Sequence, residues 1–366
     1  MMEKNILLLF NSLDGGGAEK VMYDLYNELK NRGLKISYFL SINKLAKDKN
    51  KNYYNNIKKN RLVRFISNAS KLISINKKNI FVISALHEEN FLACLFFKRP
   101  ILTIHNSESP RGVWIFFYYF LYGFLARYKK AKIICVSKGL SELYKSKFPN
   151  LDIGYIYNGL FLLSTNPVIK ECNNKYLMIG RFVLQKNHIA GIYAFKRILQ
   201  KNPKATLTIV GEGPLKKSYE ELIGTLNISK SVEIQPWNNE INSIYIEHNI
   251  LLFPSLWEGF GNVIIEALHY GLNIIAVDCE YGPREILFPN LAVNEKLPED
   301  SIFNIYGCLV KIEKEMKSAE QGDLLYAAYK NLNIKNKIII SENFNRNNLL
   351  KFHVKTMADR YIQLMG

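Results

Sequence analysis

The stretch ILLFPSLWEGFGNVIIEAL, residues 250–268, reads as a complete strand–turn–helix unit. ILLFPS is an uninterrupted apolar run closed by a proline, the pattern of a strand buried on both faces. EGFG then makes a tight bend and lets backbone come close to a ligand. Asn262 is expected to cap a helix that starts at Val263 and packs through Val263, Ile264, Ala267, Leu268 and Gly271. Ligands of open parallel sheets gather at the strands' carboxyl ends. Free amides at a helix start there would suit an anion such as a diphosphate. Two glutamates bracket the bend, Glu258 on the loop and Glu266 one turn into the helix. On this stretch alone they could be an acid/base pair, half a metal site, or a loop glutamate plus a helix-dipole glutamate.

The same alternation runs outward in both directions. NILLLF is followed by GGGAEKVMYDLYNELKNRG and KISYFL: a strand, a glycine loop, an amphipathic helix stopped by Gly33, and a second strand. IFVISA, ILTIH, KIICVS and GYIYN continue the series. It starts again at YLMIG, with further strands at ATLTIVG, VEIQP, ILLFPS and NIIAVD. Apolar strands alternating with helices imply parallel sheets covered on both faces, and two series imply two Rossmann-like domains. The polar, proline-bearing segment LSTNPVIKECNN, residues 163–174, is the expected join. Domains of residues 1–168 and 169–345 follow, with a last helix over about 344–365.

The chain has 366 residues and a net charge of +17, and its length allows two buried cores. The charge is lopsided: residues 1–170 hold 27 Lys and Arg against 11 Asp and Glu. Such asymmetry suggests an anionic partner, a phospholipid surface, a polyphosphate or nucleic acid, unless it is a solubilising surface. Two segments of the first half could meet a membrane. KKNRLVRFISNASK, residues 58–71, reads as an exposed basic amphipathic helix. The aromatic helix at 113–128, ending in RYKKAK, reads either as interfacial or as core. No stretch reaches the about 18 apolar residues of a membrane span, and the N-terminus lacks the pattern of a signal peptide. A cytoplasmic location is therefore expected. Five dispersed cysteines without a CxxC spacing argue against a disulfide framework or a zinc site.

Other candidate residues lie at strand ends. GRFVLQKNH places Arg181 and Lys186 on the loop after YLMIG, where an Arg fork and a Lys point charge suit phosphate oxygens. Solvated surface cations are the bland alternative. IVGEGP puts Glu212 and Gly213 at the same rim, or simply makes a turn into a helix starting at Pro214. His105 in ILTIHNSES and His87 in ISALHEEN follow strands of the first series. His188 is expected to cap the helix after Lys186, and His248, His269 and His353 look structural.

Taken in order, GR…K, VGEGP, FPSLWEGFGNVIIEAL and AVDCEYGPREIL resemble the family 4 glycosyltransferases of the GT-B fold, and GGGAEK and the final helix extend the likeness over nearly the whole chain. The resemblance implies two Rossmann-like domains facing each other across a cleft, with the final helix, 346–366, crossing back to the first. It makes the first domain the acceptor side and the second the nucleotide-sugar side. Arg181 and Lys186 match the cations that hold the donor diphosphate and offset charge on the leaving nucleotide. Glu266 matches the glutamate that binds the ribose hydroxyls, and Glu258 the one beside the donor sugar. Phe260, Gly261, Asn262 and Val263 match the bend that contacts sugar and phosphate, and Gly16 and Gly17 the first-domain loop over the diphosphate. His105 matches a histidine near the reacting sugar, with a packed or capping histidine as its alternative.

The implied activity is retaining transfer of a hexose or N-acetylhexosamine, expected from a UDP-sugar, to a saccharide acceptor linked to a lipid diphosphate. It would take place at the cytoplasmic face of the inner membrane, through the basic first domain. No cofactor, no required metal and no nucleic acid are expected. Residues 288–305 depart from the family pattern, and DCE at 278–280 is the nearest approach to an acidic metal motif. A sugar-nucleotide epimerase or a phosphorylase on the same architecture is the rival enzyme. A basic membrane- or nucleic-acid-binding protein is the rival of another class.

Overall fold

A computed structural model describes residues 5–13, 16–42, 53–54, 61–75, 79–106, 113–161, 174–237, 241–292, 295–304, 306–311, 316–335 and 347–365. The chain forms two compact units, one of Met1–Phe161 with Leu350–Gly366 and one of Leu162–Leu349.

The first unit runs β1 (Asn5–Phe10), α1 (Gly17–Asn31), β2 (Lys35–Leu40), β3 (Tyr53–Tyr54), α2 (Arg61–Ser74), β4 (Ile80–Ala85), α3 (His87–Phe96), β5 (Ile101–Ile104), α4 (Val113–Tyr128), β6 (Lys132–Cys135), α5 (Lys138–Lys147) and β7 (Asp152–Tyr155). Its seven strands lie in the order β3-β2-β1-β4-β5-β6-β7. All the pairings are parallel. β1 is buried almost end to end because helices cover both faces.

The second unit runs β8 (Lys175–Ile179), α6 (His188–Lys201), β9 (Thr206–Val210), α7 (Lys216–Thr225), β10 (Val232–Gln235), α8 (Ile241–Glu247), β11 (Ile250–Phe253), α9 (Asn262–His269), β12 (Asn273–Val277), α10 (Pro283–Leu287), β13 (Ser301–Asn304), β14 (Gly307–Val310) and α11 (Ser318–Lys335). The strand order is β10-β9-β8-β11-β12-β14-β13. β13 alone runs antiparallel to its neighbour, β14. Tyr176, Met178, Phe195 and Leu207 pack in its core with Leu325 from α11.

Each sheet reverses its winding once, between β1 and β4 in the first unit and between β8 and β11 in the second. Crevices at such reversals are where doubly wound sheets bind ligands. The loops leaving β8 and β11 carry Arg181, Lys186 and Glu258.

After α11 come a short turn, α12 (Asn347–Leu350), and the final helix, α13 (Val354–Met365). A single helix over 344–365 was expected. The break at 351–353 arises because His353 pairs with Leu160 in a parallel bridge. Leu160 N–H donates to Phe352 O and Val354 N–H to Leu160 O, both across the bridge. α13 packs on α1, where Arg32 binds the Asp359 carboxylate and, at 2.9 Å, the Lys355 carbonyl.

Two further expectations are corrected. The helix after VGEGP starts at Lys216, not Pro214. β13 was not foreseen in residues 288–305; the Asn304 side chain makes its hairpin by accepting from Tyr306 N–H and Gly307 N–H.

Candidate functional site

In the second unit the site is built on two loops that meet above the sheet. β8 ends at Ile179, and a 3-10 turn at Leu184–Lys186 follows. β11 ends at Phe253, and the loop to α9 carries Leu256, Trp257 and Glu258. Lys186 Nζ lies 2.5 Å from Glu258 Oε1, with both side chains largely withdrawn from water. The ammonium also sits 5.6 Å from the centre of the Phe253 ring. Partial burial strengthens a charge pair, so each group fixes the other's position. Arg181, five residues earlier, is exposed and forms no side-chain ion pair among the described residues. Its guanidinium is therefore available to an anion.

The bend after Glu258 is held from behind. Gly261 stands at φ +95° and precedes α9, which begins at Asn262. Asn262 is thus the first helical residue rather than the cap, and Gly261 occupies the cap position without a side-chain bond. Phe260 is buried, while Gly261, Asn262 and Val263 are partly buried. Gly282, at φ +96°, lies so close that a Cβ would fall 1.7 Å from the Phe260 carbonyl oxygen. Only glycine allows the 280–284 turn to brace the bend in this way.

Glu266 lies one turn into α9. Its Oε2 accepts a 2.6 Å bond from the Tyr245 hydroxyl of α8. Tyr245 stacks on Tyr270 at 5.5 Å between centroids. Burial and the Glu266 charge push the Tyr245 pKa well above its usual value, so the phenol stays a donor. Asp278 of DCE is taken up by Arg284, whose Nε is 3.0 Å from its Oδ1. Arg284 also donates to the Ala292 carbonyl at 2.7 Å. Segment 288–292 is therefore tied to the turn that braces the bend.

His188 does not cap its helix. Asn187 holds the N-cap position at φ 45°, and the His188 ring is buried edge-on to Phe182. Burial and the nearby Lys186 charge lower its pKa to about 3. Glu212 is exposed, and it is its carbonyl that is used, accepting from Phe182 N–H at 2.7 Å. His248, bonded to Ile244 O and Thr208 Oγ1, is buried framework.

Gly16, Gly17 and His105 belong to the first unit. Gly16 and Gly17 are exposed, Gly16 at the N-cap position of α1 and Gly17 as its first residue. His105 follows β5, and its Nε2 lies 3.0 Å from Thr103 Oγ1. The Thr103 hydroxyl already donates to Ser84 O at 2.8 Å. Nε2 must then carry the ring proton, which leaves a lone pair on Nδ1. That nitrogen is buried without a hydrogen-bond partner among the described residues. Burial lowers the His105 pKa to about 4, so the ring is neutral near pH 7.

The carboxyl ends of β1, β2 and β4 enclose an acid with no counterpart in the sequence reading. Glu89, 3% exposed, bonds the Ser41 hydroxyl. Ser41 Oγ is also 3.3 Å from Asn11 Oδ1. Burial raises the Glu89 pKa to about 7.

Gln185 and Tyr245 are the other residues that sequence reasoning passed over. Gln185 had one signal, its place beside Lys186; Tyr245, in INSIYIEHN, had none.

Residues 164–296 match the family described as glycosyl transferases group 1. The chain is 35% identical over 198 residues to an uncharacterized glycosyltransferase of Methanocaldococcus jannaschii, covering 50% of this chain and 48% of that one. It is 26% identical to an uncharacterized glycosyltransferase of Haemophilus influenzae, over 78% and 84% of the two chains. It is 31% identical to the UDP-Gal:alpha-D-GlcNAc-diphosphoundecaprenol alpha-1,3-galactosyltransferase of Escherichia coli, over 39% of each chain. The chain thus spans about half, or less, of the length of several curated relatives it matches. Among solved structures, Anabaena HepE in complex with UDP superposes with a TM-score of 0.74 at 16% identity, over 99% of both chains. This architecture, two parallel-sheet units each with one winding reversal, is the GT-B glycosyltransferase fold.

Proposed function

We propose that the protein is a retaining glycosyltransferase that moves a hexose or N-acetylhexosamine from a nucleotide sugar to a saccharide carried on a lipid diphosphate. The observation that carries this reading is the Lys186–Glu258 pair at the winding reversal of the second sheet, beside the exposed Arg181 and the start of α9. A diphosphate fits three of these features: a fork of donors, a point charge, and the amides of a helix start. Arg181 and Lys186 hold the diphosphate and offset the charge that grows on the leaving phosphate. Lys186 can pass from Glu258 to a phosphate oxygen, which frees Glu258 to take a sugar hydroxyl. Glu266, oriented by Tyr245, receives the ribose. Phe260, Gly261, Asn262 and Val263 shape the sugar and phosphate seat.

In the transfer, the bond between sugar C1 and the phosphate oxygen breaks while the acceptor oxygen bonds C1 on the same face. The acceptor's proton passes to the departing phosphate. His105, neutral, is suited to accept a hydrogen bond instead of supplying a charge. The two cations do the electrostatic work, and the reading needs neither cofactor nor metal. UDP is the expected nucleotide; the UDP complex of HepE and the UDP-Gal named for the E. coli relative support it. The undecaprenol diphosphate acceptor of that relative supports a lipid-linked acceptor. The excess of basic residues in positions 1–170 supports a peripheral seat on the cytoplasmic face of the inner membrane.

The test has two arms. A thermal-shift panel of UDP-, GDP- and TDP-sugars should show stabilisation by one nucleotide series; no shift with any of them overturns the donor reading. Arg181→Ala and Lys186→Ala should each lower transfer to a membrane-extract acceptor by about 10²-fold or more, with circular dichroism unchanged. Rates near the parent's in both variants would overturn the assignment of the two cations.

A further inference from the structure

We propose that Gln185 is a positioning residue that sets the register between Lys186 and Glu258; its consequence for catalysis rests on the function proposed above. Gln185 is buried, 7% exposed, within a loop whose neighbours Leu184 and Arg181 are exposed. It bonds the opposite loop twice. Its side-chain Nε2 donates to the Trp257 carbonyl at 2.8 Å, and its own carbonyl accepts from Leu256 N–H at 2.8 Å. One residue therefore grips two successive positions of the loop that carries Glu258, and it is the residue covalently joined to Lys186.

The far side of that loop is held as well. Trp257 forms a parallel bridge with Glu280, and Glu258 N–H donates to Glu280 O at 3.3 Å. Leu256–Glu258 thus lies as a short extended segment between Gln185 and Glu280. The path from Lys186 through Gln185 to Trp257 and Glu258 closes on itself at the 2.5 Å ion pair.

A lysine stem has several rotatable bonds, and an unguided ammonium spreads over many positions. Holding reacting groups within a fraction of an ångström can matter 10²-fold or so in rate. Only an amide or another donor reaches the Trp257 carbonyl. Methionine has similar length without the donor. Glutamate is isosteric, but it opposes an oxygen to that carbonyl and competes with Glu258 for Lys186.

The decisive experiment is a double-mutant cycle on UDP affinity, measured by titration calorimetry on the full chain with Gln185→Met, Lys186→Ala and the double variant. Gln185→Met is expected to weaken UDP binding about tenfold in the parent and less than about twofold in the Lys186→Ala background, because the two residues act through one another. Equal losses in both backgrounds, or no loss in either, overturn the positioning role. If Lys186→Ala itself leaves UDP affinity unchanged, the functional reading fails instead. Gln185→Glu replaces Gln185→Met if the latter does not fold, with the same expected non-additivity.

Discussion

At the scale of single residues, the first unit holds one acid in an environment that opposes its charge. Ser41 has one hydroxyl proton and two neighbours, Glu89 and Asn11 Oδ1. The Ser41 hydroxyl donates to Glu89, which favours the charged carboxylate, but burial outweighs that bond and raises the Glu89 pKa to about 7. A carboxyl whose folded pKa exceeds its unfolded value binds more protons when folded, so stability falls as pH rises from about 4.5 to 7. Glu89→Gln keeps the shape and removes the titration. It should therefore stabilise the protein at pH 8 by about 1–3 kcal/mol, with no difference at pH 4. Urea unfolding at the two pH values checks this; an equal effect at both would mean that folding does not raise the Glu89 pKa. His105 and His188 act in the opposite sense. Their pKa values are lowered to about 4 and about 3. Their contribution is present above pH about 6.5 and is lost as pH falls through the window below it.

At the scale of elements, α2 stands out because its solvent side is apolar. Leu62, Ile66 and Ile73 are 65%, 59% and 63% exposed and fall along one strip of the helix. Leu72 and Asn68 are fully buried on the inner side. The helix carries two arginines and a lysine and no acid. Apolar side chains facing water among cations suit the interface of an anionic bilayer. Ile66→Asp with Ile73→Asp should abolish co-sedimentation with vesicles containing about a third anionic lipid, while the UDP-induced thermal shift persists. Unchanged sedimentation would remove α2 as the membrane contact.

The fully apolar parallel strands were legible in the sequence, because a strand buried on two faces must be apolar along its whole length. NILLLF, IFVISA, ATLTIV and ILLF each announce themselves. β13 did not, since an edge strand such as SIFN owes its place to one asparagine turn and to pairing on one side. The candidate site divides in the same way. Arg181, Lys186, Glu258 and Glu266 stand in a recognisable order at strand ends. Gln185 and Tyr245 act through a distant carbonyl and a distant carboxylate, and no local pattern marks such partners. His188 misled for the same reason: a histidine after a loop resembles a cap until the ring is seen against Phe182.

At the scale of the whole molecule, the chain leaves the first unit at Phe161 and re-enters it at Leu350. The returning segment buries Phe352, Val354, Met357, Tyr361 and Met365. Side chains of this kind contribute about 1.5–3 kcal/mol each when buried, so the segment carries on the order of 10 kcal/mol. That is comparable with the entire stability of an ordinary domain. A chain stopped after residue 349 should therefore leave the first unit insoluble or open to limited proteolysis, with the second unit still resistant. Equal resistance of both units would show that the final helix is dispensable.

The same return path sets a timetable for biosynthesis. The second unit is complete once residue 349 has left the ribosome. The first, although translated earlier, has to wait for residues 350–366 before α13 can seal α1 and Leu160 can find His353. The amino-terminal half therefore spends most of translation with the seat of α13 uncovered. A nascent-chain chaperone that holds that seat would assist maturation more than one acting on the half made later.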